Sequence, residues 1–414
     1  MAYTIPVHHL QWKKMVGLIT LALLVGVVWL SAEVFRRTVN LVNINRDDLP
    51  QQEKTVSNTT GLPLSIAAGF TVGTFTEGLE RPRVLTFDAQ GTLLVSDQEA
   101  GAVYALPDTN HDGVADTQVT VAENLRNPHG LLFLNQNELV IAEEGQLGRW
   151  FYNGVEQMAT FDNKITDLPP NGSHVTRTVQ KGRDNKLYVS VGSSCNICNE
   201  TDSRRAAILR LNPDGNQVER WAWGLRNTVF FIPNPAKPDE FWGNDMGRDL
   251  LGDELPPDEL NIIPTKGGPP GDYGWPNCYG NNVHDDKYDK NVYKQNPCQE
   301  PEEHAPLFEY PAHHAPLGLR FIPVNAGWPK DWQGDLLVSW HGSWNRSEKA
   351  GYKVVRLELD ENQKVVAVHD FLTGFLQGTN KIIGRPVDLL FAPNGSLYVS
   401  DDGNGRIYKI QPVH

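Results

Sequence analysis

The sequence predicts an all-β protein, a six-bladed β-propeller preceded by an N-terminal transmembrane helix. Three observations lead to this fold class. One phrase, a turn with Pro or Gly followed by short strands separated by polar turns, recurs along the chain. The 37 Gly and 28 Pro residues are spread throughout, as expected for many short strands joined by turns. An uninterrupted apolar run, Met15 to Ala32, precedes the first repeat.

The repeat has six copies, which begin at Arg81, Asn127, Val175, Gly224, Ala315 and Arg385. The first four copies begin 46, 48 and 49 residues apart, which matches the length of a four-stranded propeller blade. The fourth and fifth copies begin 91 residues apart, so we expect a long insertion between them. The segment LSIAAGFTVGTF, from Leu64, precedes the first copy. We expect it to supply a strand to the last blade and close the ring.

A middle strand in each copy, such as LLVSD or LYVSD, is expected near the propeller axis, with its end at one common face. The residues at those ends are Asp97, Glu143, Gly192, Asp245, His341 and Asp401. Most residues at such positions form turns only, so any site must be built from the few that do more.

The apolar run is either a membrane anchor or a signal peptide. An eighteen-residue helix spans roughly 27 Å, enough for a bilayer core. The run is long for a signal peptide, and its cleavage motif is poor, so an uncleaved anchor is favoured. The predicted organisation is a cytoplasmic N-terminus (1–14), the anchor or signal peptide (15–32), a polar stalk (33–62) and the propeller (63–414).

The four cysteines are Cys195, Cys198, Cys278 and Cys298. An even number in an exported chain indicates two disulfides, and 195–198 with 278–298 is the most local of three possible pairings. A zinc site would require all four thiols to converge, and a thioredoxin-like motif requires a βαβ context. We therefore expect an extracytoplasmic, periplasmic body anchored to the inner membrane. The net charge of −13, without a basic run, argues against nucleic acid as a partner.

Several residues are candidates for chemistry. His174 follows a Gly-containing loop and is a competent general base near neutrality, although a structural histidine is the commoner outcome. The acidic stretch around Gly247 and Gly252 could turn carbonyl oxygens toward a Ca²⁺ ion, or be a solvated loop. Candidates for a cationic pocket that would take a carboxylate-bearing ligand are His129, His341, Arg346 and Arg385. A second calcium loop, or a plain hairpin turn, would use Asp108, Asn110, Asp112 and Asp116.

Ten stretches of the chain carry a resemblance: GSHVTRTV, KLYVSVGSSCNIC, RRAAILRLNPDG, GLRN, GRDLLGDELPPDELN, YGWPNCYG, HGSWNRS, GYKVVRL, GRPVDLLFAPNGSLYVSDD and GRIYKI. In this order they resemble the L-sorbosone dehydrogenase-like branch of the soluble quinoprotein glucose dehydrogenase family, over about residues 63 to 412.

The resemblance implies a propeller that binds pyrroloquinoline quinone (PQQ) and Ca²⁺ and oxidises a sugar or related alcohol or aldehyde. It implies that His174 takes the hydroxyl proton while hydride passes to the quinone. Backbone oxygens of Gly247 and Arg248 would hold Ca²⁺. Asn227 and Arg385 would bind the cofactor, with Arg385 also catalytic near the carbonyl that is reduced, and His129 and Arg346 are further carry-overs. His341, from the cationic pocket above, completes the predicted cofactor-binding residues. The glucose enzymes place an Asp before the base, where this chain has Ser173.

Two other functions stay open from sequence. A metal-dependent lactonase or other hydrolase would use side-chain ligands on the axis, for which Asp97, Glu143 and Asp245 are candidates. A non-catalytic binding propeller is the third. For the dehydrogenase, electrons are expected to pass to an external acceptor, because Cys198 is followed by Asn199 rather than the His of a haem-attachment motif.

Overall fold

The computed structural model describes residues 57–299, 303–324 and 326–413. The predicted anchor, the segment before it and most of the stalk lie outside these ranges, so those assignments stay predictions. Within the described ranges no helix is long and apolar enough to cross a membrane. The helix found there is a single 3₁₀ turn, Lys330–Trp332.

The described chain forms six large sheets, each built on four antiparallel strands, which are the six predicted blades. From the innermost strand outward, blade 1 comprises Pro82–Phe87, Leu93–Asp97, Ala102–Leu106 and Val119–Ala122. Blade 2 comprises Leu131–Asn135, Glu138–Glu143, Gln146–Asn153 and Met158–Asp167. Blade 3 comprises Val179–Lys181, Leu187–Val191, Ala207–Leu211 and Glu219–Trp223. Blade 4 comprises Thr228–Pro233, Glu240–Asp245, Asp258–Pro264 and Phe308–Tyr310. Blade 5 comprises Pro316–Phe321, Leu336–Trp340, Lys353–Leu359 and Val365–Thr373. Blade 6 comprises Pro386–Phe391, Leu397–Asp401, Arg406–Pro412 and Phe70–Glu77.

Short strands extend these sheets. Gly271–Asp272 pairs with the outer strand of blade 3, and Ser65–Ile66 with that of blade 5. Two small hairpins lie outside the blades, formed by Cys278–Tyr279 with Val283–His284 and by Leu376–Gln377 with Lys381–Ile382.

The ring closes through an N-terminal strand, as predicted. Phe70–Glu77 runs antiparallel to Arg406–Pro412 and completes blade 6. An earlier short strand, Ser57–Asn58, pairs in parallel with Thr71 and Val72. The sheet therefore begins at Ser57, within the segment assigned from sequence to the stalk, rather than at residue 63.

The apolar middle strand of each copy was expected near the axis. It is the second strand of each blade, and the strand before it is innermost. The second strand is buried along its length, as in Leu93–Asp97 and Leu397–Asp401, because neighbouring blades cover both of its faces. The innermost strand is less uniformly apolar, since one side of it faces the axis.

A serine in the recurring phrase links neighbouring blades. Ser400 Oγ accepts a hydrogen bond from Asp388 N at 3.0 Å and donates one to Arg83 O at 2.7 Å, which joins blade 6 to blade 1. Ser96 donates to His129 O at 2.7 Å in the same way, joining blade 1 to blade 2. Asn244 takes this place in blade 4 and donates to Leu317 O in blade 5. The repeat is thus also a repeat of inter-blade hydrogen bonds, which satisfy buried backbone groups.

Both disulfides have the local pairing, Cys195 with Cys198 and Cys278 with Cys298. The zinc alternative is excluded in this state, because bonded sulfurs are not thiolate ligands. The second disulfide lies in the predicted insertion, which occurs inside blade 4, between Asp258–Pro264 and Phe308–Tyr310.

Candidate functional site

Carboxylates at the ends of second strands bind the loops that lead into the innermost strands. Each accepts a hydrogen bond from the backbone N–H of a residue in that loop, in the pairs Asp97–Arg81, Glu143–Arg126, Asp245–Asn227 and Asp401–Arg385. Their role is to form turns, as expected for most residues at these positions. The consequence is that several arginine-bearing loops are held at one end of the ring.

Two adjoining cavities, of about 460 and 520 Å³, open at this end. They share Ser173, His174, Asn227 and Met246. The first cavity is lined further by Asn196, Arg226, Gly247, Asp249 and Trp344. The second is lined further by Arg81, Arg83, His341, Arg385 and Asp402. Five predicted site residues therefore meet here: His174, Asn227, Gly247, His341 and Arg385.

His174 lies at the junction of the two cavities, on the loop before the innermost strand of blade 3. Its Nδ1 lies 2.9 Å from Ser193 Oγ and 3.0 Å from Ser193 O. Burial, reinforced by the nearby charge of Arg226, lowers the pKa of His174 to about 3. The imidazole is therefore neutral near pH 7, with a lone pair available on one ring nitrogen.

Gly192 allows His174 and Asn227 to approach each other. A Cβ atom at this position would lie 2.6 Å from His174 Cβ and 2.7 Å from Asn227 Oδ1. Because real Cβ atoms do not make such contacts, only glycine fits without displacing one of the two side chains.

The second cavity carries an excess of positive charge. Three arginines line it against the single carboxylate of Asp402, while burial lowers the pKa of His341, so that this ring adds little charge near pH 7. Arg83 and His341 both contact Asp402, and His341 Nε2 lies 2.7 Å from its Oδ1. Arg385 donates to Gly342 O at 2.7 Å, and its guanidinium carbon lies 5.5 Å from the centre of the Tyr352 ring. Among the described residues, Arg83 Nε has no hydrogen-bond partner.

Gly247 and Arg248 form a bend beside the first cavity. Gly247 N donates to Asp258 Oδ1 at 2.9 Å, and a Cβ at Gly247 would lie 2.7 Å from Pro257 O. The Arg248 side chain is engaged with Asp285, its Nη2 lying 3.0 Å from Oδ1. Neither carbonyl oxygen of the bend accepts a hydrogen bond from any described residue. Two free carbonyl oxygens are what a hard cation such as Ca²⁺ can use.

Two predicted cofactor residues do not line either cavity. His129 is fully buried, with Nδ1 3.2 Å from Thr178 Oγ1. Arg346 is turned away to Glu254 and to Ala312 O. The loop after the strand Leu336–Trp340 carries both Arg346 and Trp344. Of these two residues, Trp344 lines the first cavity, and it is 68% exposed.

Sequence reasoning missed Ser193, Arg83 and Asp402. Arg83 lies in the opening phrase of the first copy, RPRV, and Asp402 ends the second-strand phrase of the last copy, YVSDD, so the repeat itself did not mark them as partners. No local pattern indicates that Ser193 would meet His174.

The loop containing Asp108 is closed by its own hydrogen bonds. Asp116 Oδ2 accepts from Thr109 N at 2.7 Å, and Asn110 Oδ1 accepts from Asp112 N at 2.9 Å. Lys409 Nζ lies 3.8 Å from Asp108 Oδ2. The binding of Ca²⁺ by this loop stays a prediction. Within the described chain, close groups of three side chains of metal-ligating type occur only around the two disulfides, with Glu200 or Glu303.

Together these features define a class: a six-bladed propeller whose axial cavity joins a neutral histidine, an arginine cluster and a bend with free carbonyl oxygens. The chain belongs to the TrAA12-like family, whose model matches residues 64–413. A Borreliella burgdorferi protein, described as uncharacterized, is 30% identical over 364 residues, covering 84% of this chain and 90% of its own length.

A relative with a named activity is the PQQ-dependent pyranose dehydrogenase of Coprinopsis cinerea. It is 26% identical over 413 residues, which cover 84% of this chain and 54% of that protein. The chain thus spans about half the length of this relative. The predicted relationship to PQQ-dependent sugar dehydrogenases is confirmed at this level, whereas the sorbosone branch stays a prediction.

Solved structures share the fold. The holo form of the PQQ domain of the Coprinopsis enzyme has a TM-score of 0.73 at 23% identity, covering 87% of this chain and 100% of that one. A Trichoderma reesei protein of Carbohydrate-Active Enzymes Family AA12 has the same TM-score at 22% identity, with the same coverage of both chains. These likenesses show the propeller itself.

Proposed function

We propose that this chain is a PQQ- and calcium-dependent dehydrogenase that oxidises a sugar of the aldose or sorbosone type at an alcohol or aldehyde group. One observation carries the proposal. His174, the Gly247–Arg248 bend and the arginine cluster, which come from different blades, open into adjoining cavities at one end of the ring.

The residues present fit the cofactor. PQQ carries three carboxylates, and guanidinium groups are the preferred partners of carboxylates in proteins. Arg81, Arg83 and Arg385 line the second cavity, and Arg83 Nε lacks a partner among the described residues. The free carbonyl oxygens of Gly247 and Arg248 would contribute to a Ca²⁺ site, and Asn227 lies between these two regions.

The bound quinone would supply a two-electron acceptor for a hydride from the substrate carbon. His174 Nε2 would take the substrate's hydroxyl proton, since the ring is neutral and its Nδ1 is engaged by Ser193. Trp344 presents an exposed aromatic surface at the first cavity, against which the apolar face of a sugar ring could pack.

The hydrolase alternative has less support. Asp97, Glu143 and Asp245 were its candidate metal ligands. In all three, a carboxylate oxygen accepts a hydrogen bond from a backbone N–H group of an adjacent loop. None of the three lines the second cavity. A propeller hydrolase would need such oxygens on the axis.

The setting of this activity is extracytoplasmic in our proposal. Two disulfides among the described residues favour an oxidising compartment. Electrons would leave to an external acceptor. Attachment to the inner membrane by residues 15–32 belongs to the same proposal.

The test combines the cofactor-free protein with PQQ and Ca²⁺, then a dye acceptor and a panel of aldoses. We expect dye reduction that requires both additions. His174→Ala should keep quinone binding, followed by absorbance, and lose about 10²- to 10⁴-fold in kcat. The matched control is His369→Ala, since His369 pairs with Glu358 on the outer strands of blade 5.

Absence of quinone binding and dye reduction would refute the dehydrogenase. Hydrolysis of a lactone that a chelator abolishes would replace it with the hydrolase. Quinone binding without turnover of any sugar would favour the third function, a non-catalytic binding propeller.

A further inference from the structure

The loop Ser193–Cys198, which the 195–198 disulfide closes, contacts His174 directly. Ser193 Oγ donates a hydrogen bond to Cys195 O at 2.7 Å. The same Oγ lies 2.9 Å from His174 Nδ1, and Ser193 O lies 3.0 Å from it. A serine hydroxyl has one hydrogen, and here that hydrogen is used on Cys195 O. Both atoms that face Nδ1 are therefore acceptors.

We infer that Ser193 is the positioning residue of the catalytic base: it holds the ring proton of His174 on Nδ1 and thereby leaves the Nε2 lone pair for the substrate proton. The inference rests on the proposed function for its catalytic meaning, but the tautomer itself is a property of the cofactor-free protein. In a neutral imidazole one nitrogen donates and the other accepts, and the partner of one decides the role of the other.

The rest of the loop fixes Ser193 in place. The Cys195–Cys198 disulfide fixes Cys195 on one side, and the next residue, Asn196, is fixed by hydrogen bonds to Asp249. The Asn196 side chain donates to Asp249 O at 3.1 Å and accepts from Asp249 N at 2.8 Å. Arg226 donates to Asn196 O and to Asn196 Oδ1, each at 2.9 Å. One disulfide-closed loop thus positions the base and ties it to the segment that follows the Gly247–Arg248 bend.

A neutral hydroxyl acts differently from a carboxylate in this position. It orients the ring without adding a charge, so burial and the charge of Arg226 still lower the pKa of His174 against the smaller upward effect of the hydrogen bond to Ser193 O. An aspartate at 193 would add a negative charge beside Nδ1 and raise that pKa. Because the base works only when neutral, the acid limb of the rate profile would then move upward in pH.

The test measures the imidazole ¹⁵N chemical shifts of His174 in the cofactor-free protein, assigned by difference from His174→Gln. We expect the proton on Nδ1 in the wild type and in Ser193→Thr, which keeps the hydroxyl. In Ser193→Ala the population with the proton on Nε2 should grow. Ser396→Ala, which removes another buried serine in a different blade, blade 6, should leave the shifts unchanged.

With PQQ and Ca²⁺ added, Ser193→Ala should lose about tenfold to a hundredfold in kcat with little change in quinone affinity. Ser193→Asp should move the acid limb of kcat toward neutrality, because the new carboxylate would lie beside His174 Nδ1. Circular dichroism shows whether each variant is folded.

A wild-type ring with its proton on Nε2 would overturn the inference. Unchanged shifts in Ser193→Ala, which keeps the backbone acceptor at 3.0 Å, would overturn the role of the Ser193 hydroxyl. If the shifts behave as expected and no sugar is oxidised, the proposed function fails while the positioning of His174 by Ser193 stands.

Discussion

The His341 Nε2 atom lies 2.7 Å from Asp402 Oδ1, so a histidine of blade 5 and an aspartate of blade 6 meet across the wall of the second cavity. Arg83 of blade 1 reaches the other oxygen of the same carboxylate. Burial alone would raise the pKa of Asp402, but the contacts with His341 and Arg83 outweigh it and hold that pKa well below its usual range. The ionised carboxylate therefore joins three blades.

Replacing Asp402 tests this junction. Asp402→Asn leaves the Arg83 guanidinium buried without its counter-charge, so we expect a loss of about 3 kcal/mol in the free energy of unfolding. Urea denaturation at neutral pH measures it. Asp370→Asn is the control, because the Asp370–Lys353 pair is more exposed and should contribute little. Equal stability of the two variants would contradict the argument.

Glu259 should make stability depend on pH. Burial, with the nearby charge of Asp245, raises the pKa of Glu259 from 4.5 to about 8. Between these values the unfolded chain ionises while the folded one keeps its proton, so the free energy of unfolding falls as pH rises. Glu259→Gln should gain in stability relative to the wild type from about pH 5 to about pH 9. A difference that does not vary with pH would refute the assignment; Glu361→Gln, in an exposed turn, is the control.

Gly192 should be required for activity. In Gly192→Ala the added methyl group would press on His174 Cβ and Asn227 Oδ1, so one of them must move. We expect about a hundredfold loss of kcat/KM, because small displacements of a catalytic group are costly. Gly145→Ala is the control, since its Cβ would meet only Pro170 Cβ at an ordinary 3.8 Å. The kcat/KM of both variants is measured by dye reduction. Equal values for Gly192→Ala and Gly145→Ala would contradict the prediction.

The pH dependence of the reaction follows from His174. The pKa of His174 is lowered to about 3, and the base acts when it is neutral, so lowering the pH from neutrality should not remove activity until that value is approached. Steady-state kcat/KM for the free enzyme as a function of pH measures this. An acid limb close to the ordinary histidine pKa of about 6.5 would show that the ring is more solvated than its contacts indicate.

The ring and its closure could be predicted because each copy of the repeat encodes its own blade. The recurring VSD-like phrase marks the buried second strand, and Phe70–Glu77 has the alternation of a strand without a sheet of its own. The apolarity of the middle strand reports burial between blades, so it did not reveal that another strand of each blade lies closer to the axis.

The site could be predicted only where a motif maps to a backbone position. His174, Asn227 and Gly247 follow from the loops that carry them. Arg346 stands two residues after Trp344, yet its side chain leaves the cavity and that of Trp344 lines it. Contacts such as Ser193 with His174, or Arg83 with Asp402, depend on how separate loops meet in space, which no local pattern encodes.

Arg83 and Asp402 lie on either side of the seam where the ring closes, since one belongs to the first blade and the other to the last. A nascent chain therefore cannot assemble the arginine pocket until its final blade has been synthesised and the strand Phe70–Glu77 has been captured. A ligand held by Arg83 and Arg385 together would bridge that seam. Occupancy of the pocket and completion of the ring would then be linked equilibria, each favouring the other.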